Sequence, residues 1–120
     1  MKLIVCGGRT FNDWQYVRHE LDDLHDMCRI TLIIHGNATG ADTLGNRWAK
    51  ENGIPLSVYS ADWKSFGRLA GPIRNREMAM QADSCIAFPG GRGTNDMVKV
   101  ARNKGLTVYD RRGGQYGMQV

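Results

Sequence analysis

Residues 83–96 read Asp-Ser-Cys-Ile-Ala-Phe-Pro-Gly-Gly-Arg-Gly-Thr-Asn-Asp, and they constrain this chain more than any other stretch. Residues 85–88 form a short continuous apolar run, the pattern of a strand buried on both faces. It passes straight into Pro89, Gly90, Gly91, Arg92, Gly93 and Thr94, and a helical pattern starts at about Asn95. Glycines let the backbone approach a bound group closely, and a helix N-terminus behind them adds partial positive charge. The combination is an anion cradle, most often for phosphate. A shorter version opens the chain, where Leu3-Ile4-Val5-Cys6 is followed by Gly7, Gly8, Arg9 and Thr10. Two such loops suggest a nucleotide-type ligand.

The rest of the chain alternates strand and helix. The spacing predicts strands at residues 2–6, 31–35, 56–60, 84–88 and 106–109. It predicts helices at 13–28, from 41 to just before Gly53, from Pro72 to 82, and from 95 to about 105. Asn12 or Asp13 can cap the first helix. Residues 61–72, with Trp63, Phe66, Gly67 and Gly71, read as a longer loop. Continuous apolar strands separated by helices mean a parallel sheet covered on both faces. Right-handed crossovers make it an α/β, Rossmann-like doubly wound domain of five strands in the order 3-2-1-4-5. In that order strands one and four are neighbours, and ligands bind where the winding reverses, outside the carboxyl ends of the strands. The two glycine loops follow those two strands. At 120 residues the chain is read as one domain, residues 1–110, with a flexible tail at 111–120.

Composition excludes little beyond this. The net charge of +4 suits an anionic small molecule or weak nucleic-acid contact. Cys6, Cys28 and Cys85 fit no zinc spacing and read as buried structural thiols, so no metal and no cofactor is expected. No apolar run approaches membrane-spanning length, no secretory signal is visible, and the cytosol is the expected compartment.

Other candidate site residues cluster by the predicted topology. The turn of Gly36, Asn37, Ala38, Thr39, Gly40, Ala41 and Asp42 follows strand two on the same sheet edge, and Asp42 could accept from ribose hydroxyls. Equally, Asp42 is an ordinary first-turn acid favoured by the helix dipole. His35 reads as a strand-end histidine. Arg74 and Asn75 open the third helix and could face the cleft, and Arg92 lies in the glycine loop. Arginine holds phosphate bidentately, while Arg68 reads as a solvated charge. Trp63 could stack on a base, though the plainer reading is a lid or interface anchor. Met97 shares a helical face with Val98 and Ala101 and reads as packing.

These motifs resemble the SLOG superfamily of Rossmann-like proteins, which includes the Lonely Guy phosphoribohydrolases and DprA. The Pro-Gly-Gly-Arg-Gly-Thr run at 89–94 is similar to its phosphate loop, and residues 74–78 are similar to the helix that precedes it. Gly7-Gly8-Arg9, the 36–42 turn, Ala61-Asp62-Trp63 and residues 71–78 most resemble the YspA branch, over roughly residues 2–109. The resemblance implies a pocket for nucleotides or nucleotide-derived ligands and a homo-oligomer. In Lonely Guy enzymes an arginine and a glutamate cleave the base–ribose bond. Arg74 falls at the arginine position, but the glutamate position holds Met97, with Asp96 beside it. Other SLOG domains bind ADP-ribose-type signals without obvious catalysis.

The sequence therefore ranks a binding protein for a phosphorylated nucleoside or ADP-ribose-like molecule first. Gly7, Gly8, Arg9, Thr10, Gly36, Asn37, Asp42, Arg74, Asn75, Pro89, Gly90, Gly91, Arg92, Gly93 and Thr94 form its expected site. The second reading is a nucleotide N-glycosidase in which Asp96, Glu77 or Asp42 replaces the glutamate, since an oxocarbenium-like transition state needs a nearby carboxylate. Nucleic-acid binding ranks last, because the chain lacks an aromatic–basic stripe.

Overall fold

The computed structural model describes residues 1–114. Five strands, β1 (Lys2–Cys6), β2 (Leu32–His35), β3 (Leu56–Val58), β4 (Ser84–Ala87) and β5 (Thr107–Asp110), form one sheet in the order β3-β2-β1-β4-β5. Every pairing is parallel, with Ile4 opposite both Ile34 and Cys85. The predicted topology is the observed one. It follows from strands that must be buried on both faces, because only crossover helices can cover both.

The helices are α1 (Trp14–Met27), α2 (Ala41–Glu51), α3 (Trp63–Phe66), α4 (Ala70–Gln81) and α5 (Arg92–Asn103), with a 3₁₀ turn at Gly67–Leu69. Side-chain alternation along the strands splits the core in two. Leu3, Val5, Ile33, Ile86 and Phe88 pack with Val17, Leu21 and Trp48 of α1 and α2. Ile4, Cys6, Ile34, Cys85 and Ala87 pack with Met78 and Ala79 of α4 and with Met97, Val98 and Ala101 of α5. Asp13 caps α1 by accepting from the Tyr16 N–H. Gly105, at φ +77°, ends α5 in the left-handed conformation that glycine adopts without penalty.

Strand β3 ends at Val58 rather than at residue 60, and three further differences from the sequence reading lie at the helices. Helix α5 begins at Arg92 rather than near Asn95, so Arg92, Gly93 and Thr94 form its first turn. Its N–H groups need no intrahelical partner, so glycine is tolerated there and no apolar period marks it. The 61–72 loop contains α3 and the 3₁₀ turn. Helix α4 starts at Ala70, which is buried, and Pro72 is its third residue, still within the turn where a missing N–H costs nothing. Cys28 caps the C-terminus of α1 and is exposed, whereas Cys6 and Cys85 are buried as expected.

Beyond β5, the Arg111 N–H donates to the Ala87 carbonyl and the Arg111 guanidinium pairs with Glu20. The Arg112 guanidinium bonds Asp110 and the Asn95 side chain. That pairing holds the Asp110 carboxyl at a pKa of about 2. Of the tail expected at 111–120, residues 115–120 lie outside the described residues.

Candidate functional site: a cleft at the winding reversal

The sheet order makes β1 and β4 neighbours although the chain visits β2 and β3 between them. The loops that follow β1 and β4 are stitched together by the Gly8 N–H, which donates to the Pro89 carbonyl at 2.8 Å. Beside this seam, at the carboxyl edge of the sheet, opens a cleft of about 1430 Å³. Its walls come from residues 5–13, from the 36–42 turn, from the 63–78 segment and from residues 89–97.

Two helices begin at this cleft on glycine, and neither carries a side-chain cap. Gly40 precedes α2 and Gly91 precedes α5. The N–H of Ala41, first residue of α2, is already spent on the Gly8 carbonyl at 3.2 Å. At α5 the arrangement is open. A Cβ built on Gly91 or Gly93 would meet nothing, so the space before this helix start is free. Gly90 differs, because a Cβ there would run into the Thr94 hydroxyl and the Gly8 nitrogen. One glycine of the loop serves packing, and two leave room over first-turn amides that carry the helix's partial positive charge.

The 36–42 turn and α4 supply charged and polar groups that are held by hydrogen bonds. Asp42 is buried, and its Oδ2 accepts from the N–H groups of Gly36 (3.0 Å) and Ala38 (3.1 Å). Burial pushes its carboxyl up from the usual range, opposed by these two hydrogen bonds, His35 and Arg74. The half-buried Arg74 donates from Nη1 to the Gly36 carbonyl (2.9 Å) and from Nε to Asn75 Oδ1 (3.3 Å). Its guanidinium lies where a Gly36 side chain would otherwise stand. Burial lowers its pKa, the Asp42 charge opposes that shift, and guanidinium stays protonated. Asn75 is buried and donates from Nδ2 to Asp96 Oδ2 (2.9 Å) and to the Gly93 carbonyl (3.3 Å). At the floor, the Cys6 and Cys85 sulfurs lie 3.8 Å apart. The hydrogen bond to Cys85, then burial, raises the Cys6 thiol well above its ordinary range.

Residues 1–66 match the sequence pattern described as the YspA, cpYpsA-related SLOG family. The Gene 61 protein of Mycobacterium phage D29 is 35% identical over 118 residues, which cover 91% of this chain and 94% of that protein. The chain belongs to the YspA, cpYpsA-related SLOG family. Among solved structures, the SLOG chain is similar to DNA processing protein A (DprA) from Streptococcus pneumoniae, with a TM-score of 0.75 and 19% identity. That likeness covers 97% of this chain but 52% of DprA, so the chain spans about half of DprA's length. It is also similar to the protein TM1055, with a TM-score of 0.66 and 18% identity over 90% of this chain and 72% of that one. At these identities the two structures speak for the fold.

Most of the expected site residues line the SLOG cleft: Gly7, Gly8, Arg9, Thr10, Gly36, Asp42, Arg74, Asn75, Pro89, Gly90, Gly91, Arg92, Gly93 and Thr94. Asn37 is not among the lining residues. It stands at φ +59° and its amide donates to Ser60 Oγ. Glu77 is exposed and also outside the lining. Asp96 and Met97 both reach the cleft, although Met97 is 1% exposed and belongs to the core cluster. His35 is locked in the fold: its Nδ1 accepts from the Asn37 N–H at 3.0 Å, leaving Nε2 to donate to Asn46 Oδ1 at 2.9 Å. Sequence reasoning missed Phe11, Asn12, Asp13, Gly71, Pro72 and Met78 as site residues, read Arg68 as solvated and favoured a lid or interface anchor for Trp63; all of these line the cleft, as does Ala38 of the predicted turn. Phe11 stacks on Phe88 with centroids 5.6 Å apart, a contact foreshadowed only by an aromatic placed directly after the Gly-Gly-Arg-Thr turn. Four arginines (9, 68, 74 and 92) face three aspartates (13, 42 and 96), so the cleft favours an anion.

Proposed function

We propose that the cleft binds a phosphorylated nucleoside or an ADP-ribose-like molecule, in a sensing, carrying or sequestering role. The observation that carries this reading is the uncapped start of α5, whose Gly91 and Gly93 leave open space at a cleft lined by four arginines. A phosphate seated there would accept from first-turn N–H groups and complement the dipole of a helix twelve residues long. Arg74, restrained by the Gly36 carbonyl, lines the same cleft and supplies a charge-assisted donor. SLOG membership supports a nucleotide-related ligand.

The reading is tested by thermal unfolding with nucleoside mono- and diphosphates, ADP-ribose, cyclic ADP-ribose isomers and a short single-stranded DNA. At a concentration about a hundred times the dissociation constant, linkage adds about 2.7 kcal/mol to stability. In a domain this size that is a melting shift on the order of 10 °C. One phosphorylated nucleoside is expected to give it. A shift with DNA alone, shrinking steeply with salt, would favour nucleic-acid binding, the last-ranked reading. DprA is named as a DNA processing protein, which keeps that arm in the panel.

One observation favours a second reading, N-glycosidase activity. Asp96 lines the cleft with its carboxylate held by Asn75, while Glu77 stands outside and Asp42 turns an oxygen to the backbone. Asp96 is then the acid that would face a ribose. Incubation with adenosine and guanosine monophosphates, followed by chromatography, tests it. The binding reading expects no enzyme-dependent free base. Release at several turnovers per minute, lost in Asp96→Asn, would establish the glycosidase.

A further inference from the structure

The molecule contains two arginine–tryptophan pairs, and they differ. Arg47 lies on Trp14 with its guanidinium carbon 3.9 Å from the ring centroid, a closed stack on the outside of α1 and α2. Arg9 stands over Trp63 at 6.0 Å, which is 2.1 Å farther. Both Arg9 and Trp63 line the cleft, and Trp63 leaves about half its surface open. The second pair is the looser of the two, at the outer limit of a cation–π contact. A flat aromatic layer between two others needs about 7 Å from outer plane to outer plane, at about 3.5 Å per contact. Arg9 is exposed, so its side chain can yield to admit such a layer over the half-open Trp63 ring.

The surroundings hold Trp63 in this position. Its ring edge rests on α4 at Gly71, where a Cβ would stand 3.3 Å from Cη2. Asp62 caps the short helix α3 by accepting from the Ser65 N–H at 3.1 Å. Arg9 directly follows Gly8, whose N–H bonds the Pro89 carbonyl, so the pair is tethered one residue from the phosphate loop. Thr39 Oγ1 donates to the Arg9 carbonyl at 3.2 Å and fixes that loop further. A ribose links a phosphate to its base, and the α5 start, Arg9 and Trp63 all line one cleft.

Resting on the phosphate reading above, we infer that Arg9 and Trp63 form a nucleobase subsite, in which an aromatic base is sandwiched between guanidinium and indole. Trp63 is thereby a ligand contact, and the base lies between its indole and the Arg9 guanidinium. A two-ring purine overlaps the indole more fully than a pyrimidine, so adenosine monophosphate should exceed uridine monophosphate in affinity.

The test compares adenosine monophosphate with ribose 5-phosphate, which lacks the base, by calorimetry on wild type, Trp63→Phe and Trp63→Ala. Wild type is expected to bind the nucleotide about five- to a hundredfold more tightly than the sugar phosphate, the range of one base–aromatic stack. Trp63→Ala should bring the nucleotide down to the sugar phosphate and leave the sugar phosphate unchanged. Trp63→Phe should retain most of the difference, and nucleotide binding should quench a tryptophan signal that Trp63→Phe lacks. Equal nucleotide affinity in wild type and Trp63→Ala would overturn the clamp while leaving the phosphate cradle standing. Binding of ribose 5-phosphate as tight as the nucleotide would do the same. Binding of neither compound would remove both the clamp and the reading it rests on.

Discussion

Asn75 Nδ2 donates to Asp96 Oδ2 at 2.9 Å and so ties α4 to the N-terminal part of α5. The same amide donates to the Gly93 carbonyl and accepts from Arg74 Nε. One buried side chain thus fixes an acid, a cation and the glycine turn between them. Hydrogen bonds to charged groups are worth about 1.5–3 kcal/mol each, so Asn75→Ala should lose at least that much stability. Urea unfolding at unchanged slope would read it. Asn75→Asp should be worse at pH 7 than at pH 4, because it places a second carboxylate against Asp96 and protonating one relieves the repulsion. A loss under about 0.5 kcal/mol in Asn75→Ala, the usual range of a surface change, would mean that the network does not hold the turn.

The glycines of the 90–93 turn should separate by function. Gly90→Ala drives its methyl into the Thr94 hydroxyl and the Gly8 nitrogen, so it should cost about 1–3 kcal/mol as overpacking does. Gly91→Val points into open space and should cost no more than about 1 kcal/mol, the difference between a fair and a poor N-cap. It should nonetheless abolish the ligand-induced melting shift, because the added side chain fills the phosphate position. A Gly91→Val protein that melts cooperatively and still shifts would move the phosphate elsewhere.

The topology and the place of the cleft were legible because buried parallel strands leave few arrangements. Residues 3–6, 32–34 and 85–88 are continuously apolar, and two of these runs lead into glycine turns that the strand order makes neighbours. The start of α5 was not legible, since a glycine-rich first turn has no apolar period. Neither was α3, which at four residues is shorter than any period can reveal. Glu77 follows Asn75 by two residues, which turns it about 200° around the helix and away from the cleft. Asp96 and Met97, about 100° apart, both reach it because the cleft wraps the first turns of α5. The meeting of Trp63 with Arg9 was not legible, because the two lie 54 positions apart in the sequence and come together only in the fold.

The cysteines should titrate in two classes. Cys28 is exposed, whereas Cys6 and Cys85 are buried and the Cys6 thiol is held protonated by its neighbour and by burial. Native protein should react with a thiol reagent such as dithionitrobenzoate at one site per chain, and denatured protein at three. Fast native reaction of a second thiol, surviving in Cys28→Ser, would mean that the cleft floor opens.

Arg74→Ala should weaken ligand binding without unfolding the domain. Its residue is half-buried on α4, and the core contacts of that helix come from Ala70, Met78 and Ala79. A charge-assisted phosphate contact of about 1.5–3 kcal/mol corresponds to about ten- to a hundredfold in affinity. Arg74→Lys should recover only part of it, since one ammonium cannot both bond the Gly36 carbonyl and present a fork to the ligand. Unchanged affinity by calorimetry in Arg74→Ala would make the residue a structural brace of the 36–42 turn.

The buried carboxyl of Asp42 should leave a signature in acid. Its folded pKa lies above the ordinary 3.8, with burial as the largest cause. Between 3.8 and that raised value the folded state holds more protons than the unfolded one, so stability falls as pH rises through this window and levels off above it. Asp42→Asn removes the titration while keeping an amide oxygen able to accept from the Gly36 and Ala38 N–H groups. Groups common to both proteins cancel in the difference. The stability of wild type relative to Asp42→Asn should therefore be greatest below pH 3.8, decline as pH rises above it, and be flat and lowest at neutral pH. Urea unfolding of both proteins across pH 3 to 8 measures this directly. A difference that instead rises with pH would mean that the two backbone donors and Arg74 outweigh burial. Asp42 would then be an ion-pair anchor for Arg74, and Asp42→Asn should loosen ligand binding along with Arg74.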